Sequence, residues 1–173
     1  MIEKATGRLA RNVVITLILI TNIGCDQISK NIVRQKVGFY ERIDIIKDHL
    51  TVTYVENPGA FLSIGSSLPP ALRLTILSVI PLITLLFGIF YLLTQRSLTR
   101  MSTLALSFAI GGGIGNIYDR MIHGSVTDFL HVKFGIVQTG IFNMADVSIV
   151  TGMLIFFVQA YSRQARRLLR YTK

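Results

Sequence analysis

The sequence predicts a mainly α-helical membrane protein: a bundle of four transmembrane helices with a small extracytoplasmic β-rich segment. Apolar residues make up 51% of the 173 residues and charged residues only 16%, whereas soluble domains carry about a quarter. The apolar residues gather in segments that approach the length of a bilayer-crossing helix. The excess positive charge is confined to a few places along the chain. We therefore expect one integral-membrane domain over 1–173, with spans at about 13–33, 71–93, 101–117 and 143–161.

The first predicted span has an alternative interpretation, because its Ile-Gly-Cys sequence resembles the cleavage site of a bacterial lipoprotein precursor. Two observations favour a retained helix. Asn22 stands three residues before Cys25, where such a precursor carries an aliphatic residue, and apolar character resumes at Ile28 beyond Asp26. The lone cysteine cannot form an internal disulfide, and we expect a small buried apolar side chain rather than a reactive thiol.

The second and fourth spans approach the ~20 apolar residues that a crossing helix needs. The first and third reach that length only by including polar residues, which we expect to face the bundle interior or the membrane interface. The third contains the glycine-rich stretch Ala109–Asn116. A phosphate-binding loop would follow a strand, and here an apolar span precedes the glycines. Close approach between helices is the favoured role.

The distribution of basic residues predicts the orientation in the membrane. Ten of the 18 basic residues lie in the N-terminus, around Arg96 and Arg100, and in the tail after Tyr161, where Glu3 is the only acid. The other segments carry equal numbers of basic and acidic residues. With four crossings, all of the excess charge lies on one side, which the positive-inside rule makes cytoplasmic. Both termini are then cytoplasmic, and the basic tail is an orientation anchor and binder of anionic lipid rather than a nucleic-acid arm.

Two segments, at about 35–70 and 118–142, are then extracytoplasmic. Residues 49–57 alternate and are rich in β-branched side chains, which predicts a strand that ends in the turn-forming Asn57-Pro58-Gly59. Residues 127–142 are a second strand-like piece. A partly apolar outer segment is expected to rest on the membrane surface.

Polar residues converge at the predicted outer end of the bundle, and in a membrane protein such residues are the first functional candidates. Structural alternatives exist for each group. An N-cap with a first-turn acid would explain Asn143 and Asp146, and an i,i+4 ion pair would explain two residues of the first helix. An interfacial ion pair would explain Asp119 with Arg120, and Asp128 could be an ordinary loop acid. The converging residues are Asp26, Lys30, Asn57, Asn116, Asp119, Arg120, Asp128, Asn143 and Asp146.

Asp128 and Asp146 remain without an assigned basic partner. Two carboxylates in one site cannot both ionise cheaply, so one holds a proton while the other stays charged. Such a pair can activate water for attack on a peptide carbonyl and protonate the leaving amine. We expect Asp128 to hold the proton, because a neighbouring negative charge raises its pKa, while the helix dipole favours ionised Asp146. The chain has no H-E-x-x-H or G-x-S-x-G sequence, and its histidines lack metal-ligand spacing.

These residues resemble those of the bacterial lipoprotein signal peptidase (signal peptidase II) family. The resemblance runs from about Val13 to Tyr161 and rests on D-Q-I-S-K, N-P-G-A-F-L-S, G-N-I-Y-D-R, G-S-V-T-D-F and F-N-M-A-D. It implies an intramembrane aspartyl endopeptidase of the bacterial inner membrane that needs no cofactor or metal. The substrates implied are diacylglyceryl-modified prolipoproteins. Asp128 and Asp146 match the catalytic aspartates, and the supporting positions fall on Asp26, Lys30, Asn57, Gly59, Asn116, Asp119, Arg120 and Asn143.

The sequence departs from the family at two places near the expected substrate path. Thr139-Gly140-Ile141 stands where an aromatic residue and proline are common, and Phe61-Leu62 interrupts the usual glycine-alanine stretch. Both departures bear on substrate preference. Two other functions remain open on the residues alone: a small transporter or proton-conducting bundle, and a non-enzymatic relative that binds lipid or lipoprotein. We expect a monomer, because a small chain with one site needs no partner.

Overall fold

The computed structural model describes the backbone of residues 2–60 and 63–171, and side chains within 7–60, 63–162 and at Gln164. The helices are α1 (Ile2–Lys36), α2 (Pro70–Leu74), α3 (Ile80–Thr94), α4 (Arg100–His123) and α5 (Met144–Tyr171). A π-helical turn, Thr75–Val79, joins α2 to α3, so that residues 70–94 form one rod. The strands are β1 (Arg42–Ile46), β2 (Leu50–Asn57), β3 (Val126–Phe134) and β4 (Val137–Gln138).

The helix ends follow local sequence signals. Pro70 occupies the first turn of α2, where its missing N–H costs nothing. Thr99 caps α4 by accepting a hydrogen bond from the Ser102 backbone N–H. Gly124 ends α4 in the left-handed conformation, with φ of 77°. This helix therefore runs past residue 117, the predicted end of the third span, and takes Asp119 and Arg120 into its last two turns.

Helix α4 is the centre of the bundle and packs against α1, α3 and α5. Its glycines permit this approach. A Cβ on Gly112 would overlap the Ala145 carbonyl oxygen of α5, and one on Gly115 would lie 2.5 Å from Asp26 Oδ2 of α1. The expected role of the glycine-rich stretch in close helix packing is confirmed.

An apolar core lies in the half of the bundle away from the sheet. Ile15 of α1, Leu92 of α3 and Ile110 of α4 are its buried members. Large apolar side chains on the outer faces of the helices are exposed instead, among them Phe87 and Phe157, both at 68%. An exposed apolar surface of this kind suits lipid. The expectation that Cys25 is buried was wrong, because its side chain is exposed on α1.

The strands form a four-stranded antiparallel sheet in the order β1-β2-β3-β4. The strand predicted at 49–57 is confirmed as β2, and the strand-like piece after residue 127 contains β3 and β4. Strand β1 was not predicted, because its five residues are exposed and do not alternate with a buried face. Pairing of Val55 with Asp128 and Asn57 with Val126 brings the end of β2 against the start of β3, where the candidate site lies.

Candidate active site

The turn after β2 positions Asn57 against Asp128. The Asn57 side-chain oxygen accepts a hydrogen bond from the Gly59 backbone N–H at 3.0 Å, which fixes the direction of the amide. Its Nδ2 then donates to Asp128 Oδ2 at 2.9 Å and to the Ala60 carbonyl at 3.0 Å. Asn57 therefore stabilises the turn and also donates a hydrogen bond to the Asp128 carboxyl group.

The start of α5 supplies the second carboxylate through a reciprocal cap. Asn143 Oδ1 accepts from the Asp146 backbone N–H at 3.0 Å, and Asp146 Oδ2 accepts from the Asn143 backbone N–H at 3.1 Å. The structural alternative for these residues is therefore correct as geometry. It does not exclude a role in the site, because the free Nδ2 of Asn143 donates to Asp128 Oδ1 at 2.6 Å.

Asn116 of α4 connects the two asparagine-bound carboxylates. Its Nδ2 donates to Asp146 Oδ1 at 2.9 Å, and its Oδ1 accepts from Asn143 Nδ2 at 3.2 Å. Asp128 and Asp146 are therefore tied to one hydrogen-bonded set of amides that comes from β2, α4 and α5. Each carboxylate receives two described hydrogen bonds.

Both carboxylates line a cavity of about 530 Å³ at the junction of the sheet and the bundle. One part of its wall is polar and the other is apolar, as expected for a site that orients a substrate through a few polar groups. The polar wall consists of Asn57, Asn116, Arg120, Asp128, Asn143 and Asp146. The apolar wall consists of Ala60, Val126, Ile141, Ile149, Val150 and Met153.

The pKa of Asp128 is raised from 3.8 to about 6. Burial is the largest cause, since only 4% of the residue is exposed and burial disfavours the charged form. Hydrogen bonds from Asn57 and Asn143 oppose this rise, and the negative charge of Asp146 adds to it. The predicted direction is confirmed, but the neighbouring charge is secondary to burial.

A buried ion cluster lies behind the cavity wall. The Lys30 ammonium, fully buried, lies 2.7 Å from Asp26 Oδ2 and 3.0 Å from Asp119 Oδ2. Arg34 also pairs with Asp119, at 3.0 Å. The structural alternative of an i,i+4 ion pair between Asp26 and Lys30 is therefore correct as geometry. These four residues do not line the cavity, so the structure divides the predicted polar residues into two connected groups.

The structural alternative of an ion pair between Asp119 and Arg120 was wrong, because Asp119 pairs with Lys30 and Arg34. Neighbours on a helix point about 100° apart, so Asp119 faces the bundle interior while Arg120 faces the cavity. Arg120 Nη2 donates to the Gly59 carbonyl oxygen at 2.9 Å. A side chain at Gly59 would clash with the backbone at Ser63, with a Cβ 2.5 Å from its carbonyl oxygen. Both residues therefore fix the turn after β2, whose residues Asn57 and Ala60 line the cavity.

Sequence reasoning missed three residues that hold β3 in place. Arg34 Nε donates to Thr127 Oγ1 at 2.8 Å, and this hydroxyl donates to Glu56 Oε1 at 2.7 Å. The Thr127 backbone N–H donates to Asp119 Oδ2 at 3.3 Å. The one available signal was the spacing of Arg34, four residues after Lys30 and so on the same face of α1. Of the two family departures, Ile141 lines the cavity, while Phe61 and Leu62 lie outside the described residues.

Comparison with known proteins gives a consistent result. Residues 17–162 match the family model described as signal peptidase (SPase) II. The chain is 34% identical over 158 residues to a lipoprotein signal peptidase of Borrelia turicatae, covering 88% of this chain and 90% of that one. It is 29% identical over 150 residues to a lipoprotein signal peptidase of Streptococcus pneumoniae, covering 87% and 94%. A bacterial membrane enzyme solved in meso at 2.3 Å resolution shares the fold, with a TM-score of 0.79, 24% identity and coverage of 88% and 90%.

The apolar helices, the small sheet and the fold shared with the solved structure define a helical membrane protein. The chain is a protease of this kind. It belongs to the signal peptidase II family, because the family model covers most of its length and curated relatives match at 30% identity or more.

Proposed function

We propose that the protein is an intramembrane aspartyl endopeptidase that removes the signal peptide from diacylglyceryl-modified prolipoproteins. The cut falls on the N-terminal side of the lipidated cysteine. One observation carries this proposal: two carboxylates, Asp128 and Asp146, line one cavity and are held by one connected set of amides. Membership of the signal peptidase II family supports the substrate class.

The pair supplies both halves of acid–base catalysis. Ionised Asp146 takes a proton from water as the water oxygen bonds to the scissile carbonyl carbon. Asp128 gives its proton to the carbonyl oxygen, which produces a neutral tetrahedral diol. The proton on Asp146 then passes to the amide nitrogen as the C–N bond breaks, and a diol hydroxyl returns a proton to Asp128. The raised pKa of Asp128, about 6, suits a group that must hold a proton before the reaction starts.

The other polar residues of the cavity position the two aspartates and the turn after β2. Asn57, Asn116 and Asn143 aim their amides at the carboxylates, and none of them can exchange protons itself. Arg120 lines the same cavity and carries the positive charge that faces both aspartates. Its hydrogen bond to the Gly59 carbonyl fixes the turn that carries Asn57 and Ala60. These contacts fit the supporting roles that the family resemblance implies.

The apolar wall fits a lipid-modified peptide. Ile149, Val150 and Met153 follow one another along α5 from the cavity towards the apolar part of the bundle. Val150 and Met153 are exposed, at 48% and 46%, so this wall opens on the outer surface of the helices. An acyl chain or the apolar stretch of a signal peptide can therefore reach the polar wall from lipid.

We further propose four membrane crossings in a single domain, 1–173. Among the described residues, three helices are long and apolar enough to cross: Gly7–Lys36, Pro70–Thr94 and Met144–Ser162. Helix α4, with 24 residues, spans about 36 Å and is long enough, but it is less apolar. Its polar residues Asn116 and Asp119 are buried against α1 and α5 rather than facing outward. A helix at the centre of a bundle can carry them across the membrane.

The charge distribution gives the proposed orientation in the bacterial inner membrane. Both termini and the basic tail face the cytoplasm, where they contact anionic lipid. The cavity then faces the extracytoplasmic side, where prolipoproteins emerge. We expect a monomer to be sufficient, because a small chain with one site needs no partner.

The direct test is incubation of the purified protein with a synthetic prolipoprotein segment that carries the diacylglyceryl cysteine. Mass spectrometry should find a product that begins at the modified cysteine. The matched control is the same peptide without lipid, which should be cut far more slowly. Cleavage at another bond, or equal cleavage of both peptides, would contradict the proposed substrate class.

A further inference from the structure

Lys30 contacts the cavity wall from behind without lining the cavity. Its three ammonium hydrogens match three acceptors: Asp26 Oδ2 at 2.7 Å, Asp119 Oδ2 at 3.0 Å and the Asn116 side-chain oxygen at 3.0 Å. The residue is fully buried, so no water replaces these partners. An ammonium group only donates hydrogen bonds. The oxygen of the Asn116 amide must therefore face Lys30.

This contact fixes what Asn116 offers to the catalytic pair. With Oδ1 directed at Lys30, the amide nitrogen faces the other way and donates to Asp146 Oδ1 at 2.9 Å. Asn143 Nδ2 also donates to Asn116 Oδ1, at 3.2 Å, so both lone pairs of that oxygen are engaged. A flipped amide would place its NH₂ against the ammonium and its oxygen against the carboxylate. Both contacts would be repulsive, so Lys30 opposes the flip.

The two aspartates differ in this respect. Asp146 accepts from an amide that is itself bound to a cation, and hydrogen bonds in such a chain strengthen one another. The two described side-chain donors of Asp128, Asn57 and Asn143, are neutral amides with no cation in the next position. The difference between the hydrogen-bond donors of the two aspartates therefore originates at Lys30, which lies behind the cavity wall.

We propose that Lys30 is a positioning residue that makes Asp146 the ionised, proton-accepting member of the pair by fixing the Asn116 amide. This inference rests on the proposed aspartyl function. It assigns a task to a residue that the family resemblance marks only as supporting.

Other charges surround the two ends of this connection. Asp26 and Asp119 offset part of the charge of Lys30 and Arg34. The Lys30 charge still acts on Asp128, where it lowers the pKa, so the role proposed for Lys30 at Asp146 depends on the direction of the Asn116 hydrogen bonds. His123 lies 4.0 Å from Asp119 and faces the same cluster. The charged groups that face Asp146 from the packed elements are Asp128 of β3 and Arg120 of α4.

The test is the pH dependence of kcat/KM for Lys30→Met with a lipidated precursor peptide. Activity needs ionised Asp146, so it rises with pH along the acidic limb of the profile. Loss of Lys30 should move that limb to higher pH, so that activity falls more on the acidic side of the profile than at its maximum. A purely structural role for Lys30 would lower activity equally at each pH.

Arg34→Met is the matched control. It removes a positive charge from Asp119 in the same cluster but has no described contact with Asn116, so the acidic limb should stay in place. Asn116→Leu tests the same connection from its other end, with the Lys30 ion pairs kept, and should shift the limb as Lys30→Met does. The inference is overturned if the acidic limb stays in place in both Lys30→Met and Asn116→Leu. It is also overturned if Arg34→Met shifts the limb by the same amount as the test variants.

Two further measurements keep the outcomes distinct. If Lys30→Met does not fold, Asn116→Leu decides by the same criterion. If a folded variant has no measurable cleavage, the infrared carboxyl band decides, because its titration needs no turnover. The Asp146 ionisation is identified as the carboxyl titration that is missing in Asp146→Asn. In the folded test variant this titration must occur at higher pH than in wild type. If it occurs at the same pH, the inference is overturned. If Asp128→Asn or Asp146→Asn still cleaves, the proposed function itself has failed.

Discussion

Asp128→Asn is expected to stabilise the folded protein at alkaline pH even though it removes a proposed catalytic group. The Asp128 pKa is about 6 in the folded protein and near 3.8 when the group is free. The folded state therefore binds the proton more tightly than the unfolded state. The contribution of Asp128 to the free energy of unfolding is therefore most favourable below pH 3.8. This contribution falls as the pH rises from 3.8 to about 6 and stays reduced above that interval.

The size of this penalty follows from the pKa interval. A shift of roughly two units corresponds to about 3 kcal/mol of lost stability at pH 8. The amide of the variant is neutral and avoids this cost, but its NH₂ must face Asn57 Nδ2 or Asn143 Nδ2. Both of those amides are held in direction by their own oxygens, so one hydrogen bond is lost at about 1 kcal/mol. We expect a net gain of about 2 kcal/mol at pH 8 and a net loss of about 0.5 kcal/mol near pH 4, where about 0.5 kcal/mol of the wild-type penalty is already present.

The assay is the thermal unfolding midpoint in detergent, measured for wild type and Asp128→Asn across this pH range. The variant midpoint should be higher by about 4–8 °C at pH 8 and lower than wild type near pH 4. Asp44→Asn is the matched control, since it removes the same charge from an exposed position on β1. A difference that does not change with pH, or a less stable variant at pH 8, would refute the burial argument.

Three further predictions concern the packing, the thiol and the topology. Gly112→Ala should clearly lower the unfolding midpoint, because the added Cβ would overlap the Ala145 carbonyl oxygen. Gly24→Ala is the control and should change the midpoint little, because a Cβ there has nothing within 4 Å. Equal midpoints for the two variants would contradict close α4–α5 packing. Cys25→Ala should keep cleavage within a few-fold, because the mechanism uses no thiol, and its loss in folded protein would reopen a thiol role. A reporter that is active only outside the cytoplasm, fused after residue 173, should stay silent; activity there would overturn the four-span orientation.

The elements that the sequence predicts well are those with strong local signals. Strand β2 alternates and ends at an Asn-Pro-Gly turn, and the helices follow their apolar runs. The extension of α4 to His123 was missed, because Asp119 and Arg120 are polar and their burial depends on partners from α1 and the loop after β2. Local composition carries no information about such distant partners.

The candidate site was likewise predicted only in part. The convergence of Asp128 and Asp146 was predicted from their position at one end of the bundle, and both line the cavity. The separation of Lys30 from the cavity was not predicted, because it depends on which face of α1 packs against α4. The roles of Arg34 and Thr127 depend on a contact across more than 90 residues of sequence, which no local pattern encodes.

Asp128 and Asp146 are proposed to act together as the proton donor and acceptor. The decisive measurement is the cleavage rate of a lipidated precursor with purified Asp128→Asn and Asp146→Asn, each shown to be folded by its unfolding transition. Asn keeps the size and the hydrogen-bonding capacity of the side chain but cannot accept and return a proton. Both variants should lose cleavage by at least ~10³-fold, while Asp44→Asn remains near wild type. Cleavage near the wild-type rate by either folded variant would contradict the aspartyl mechanism.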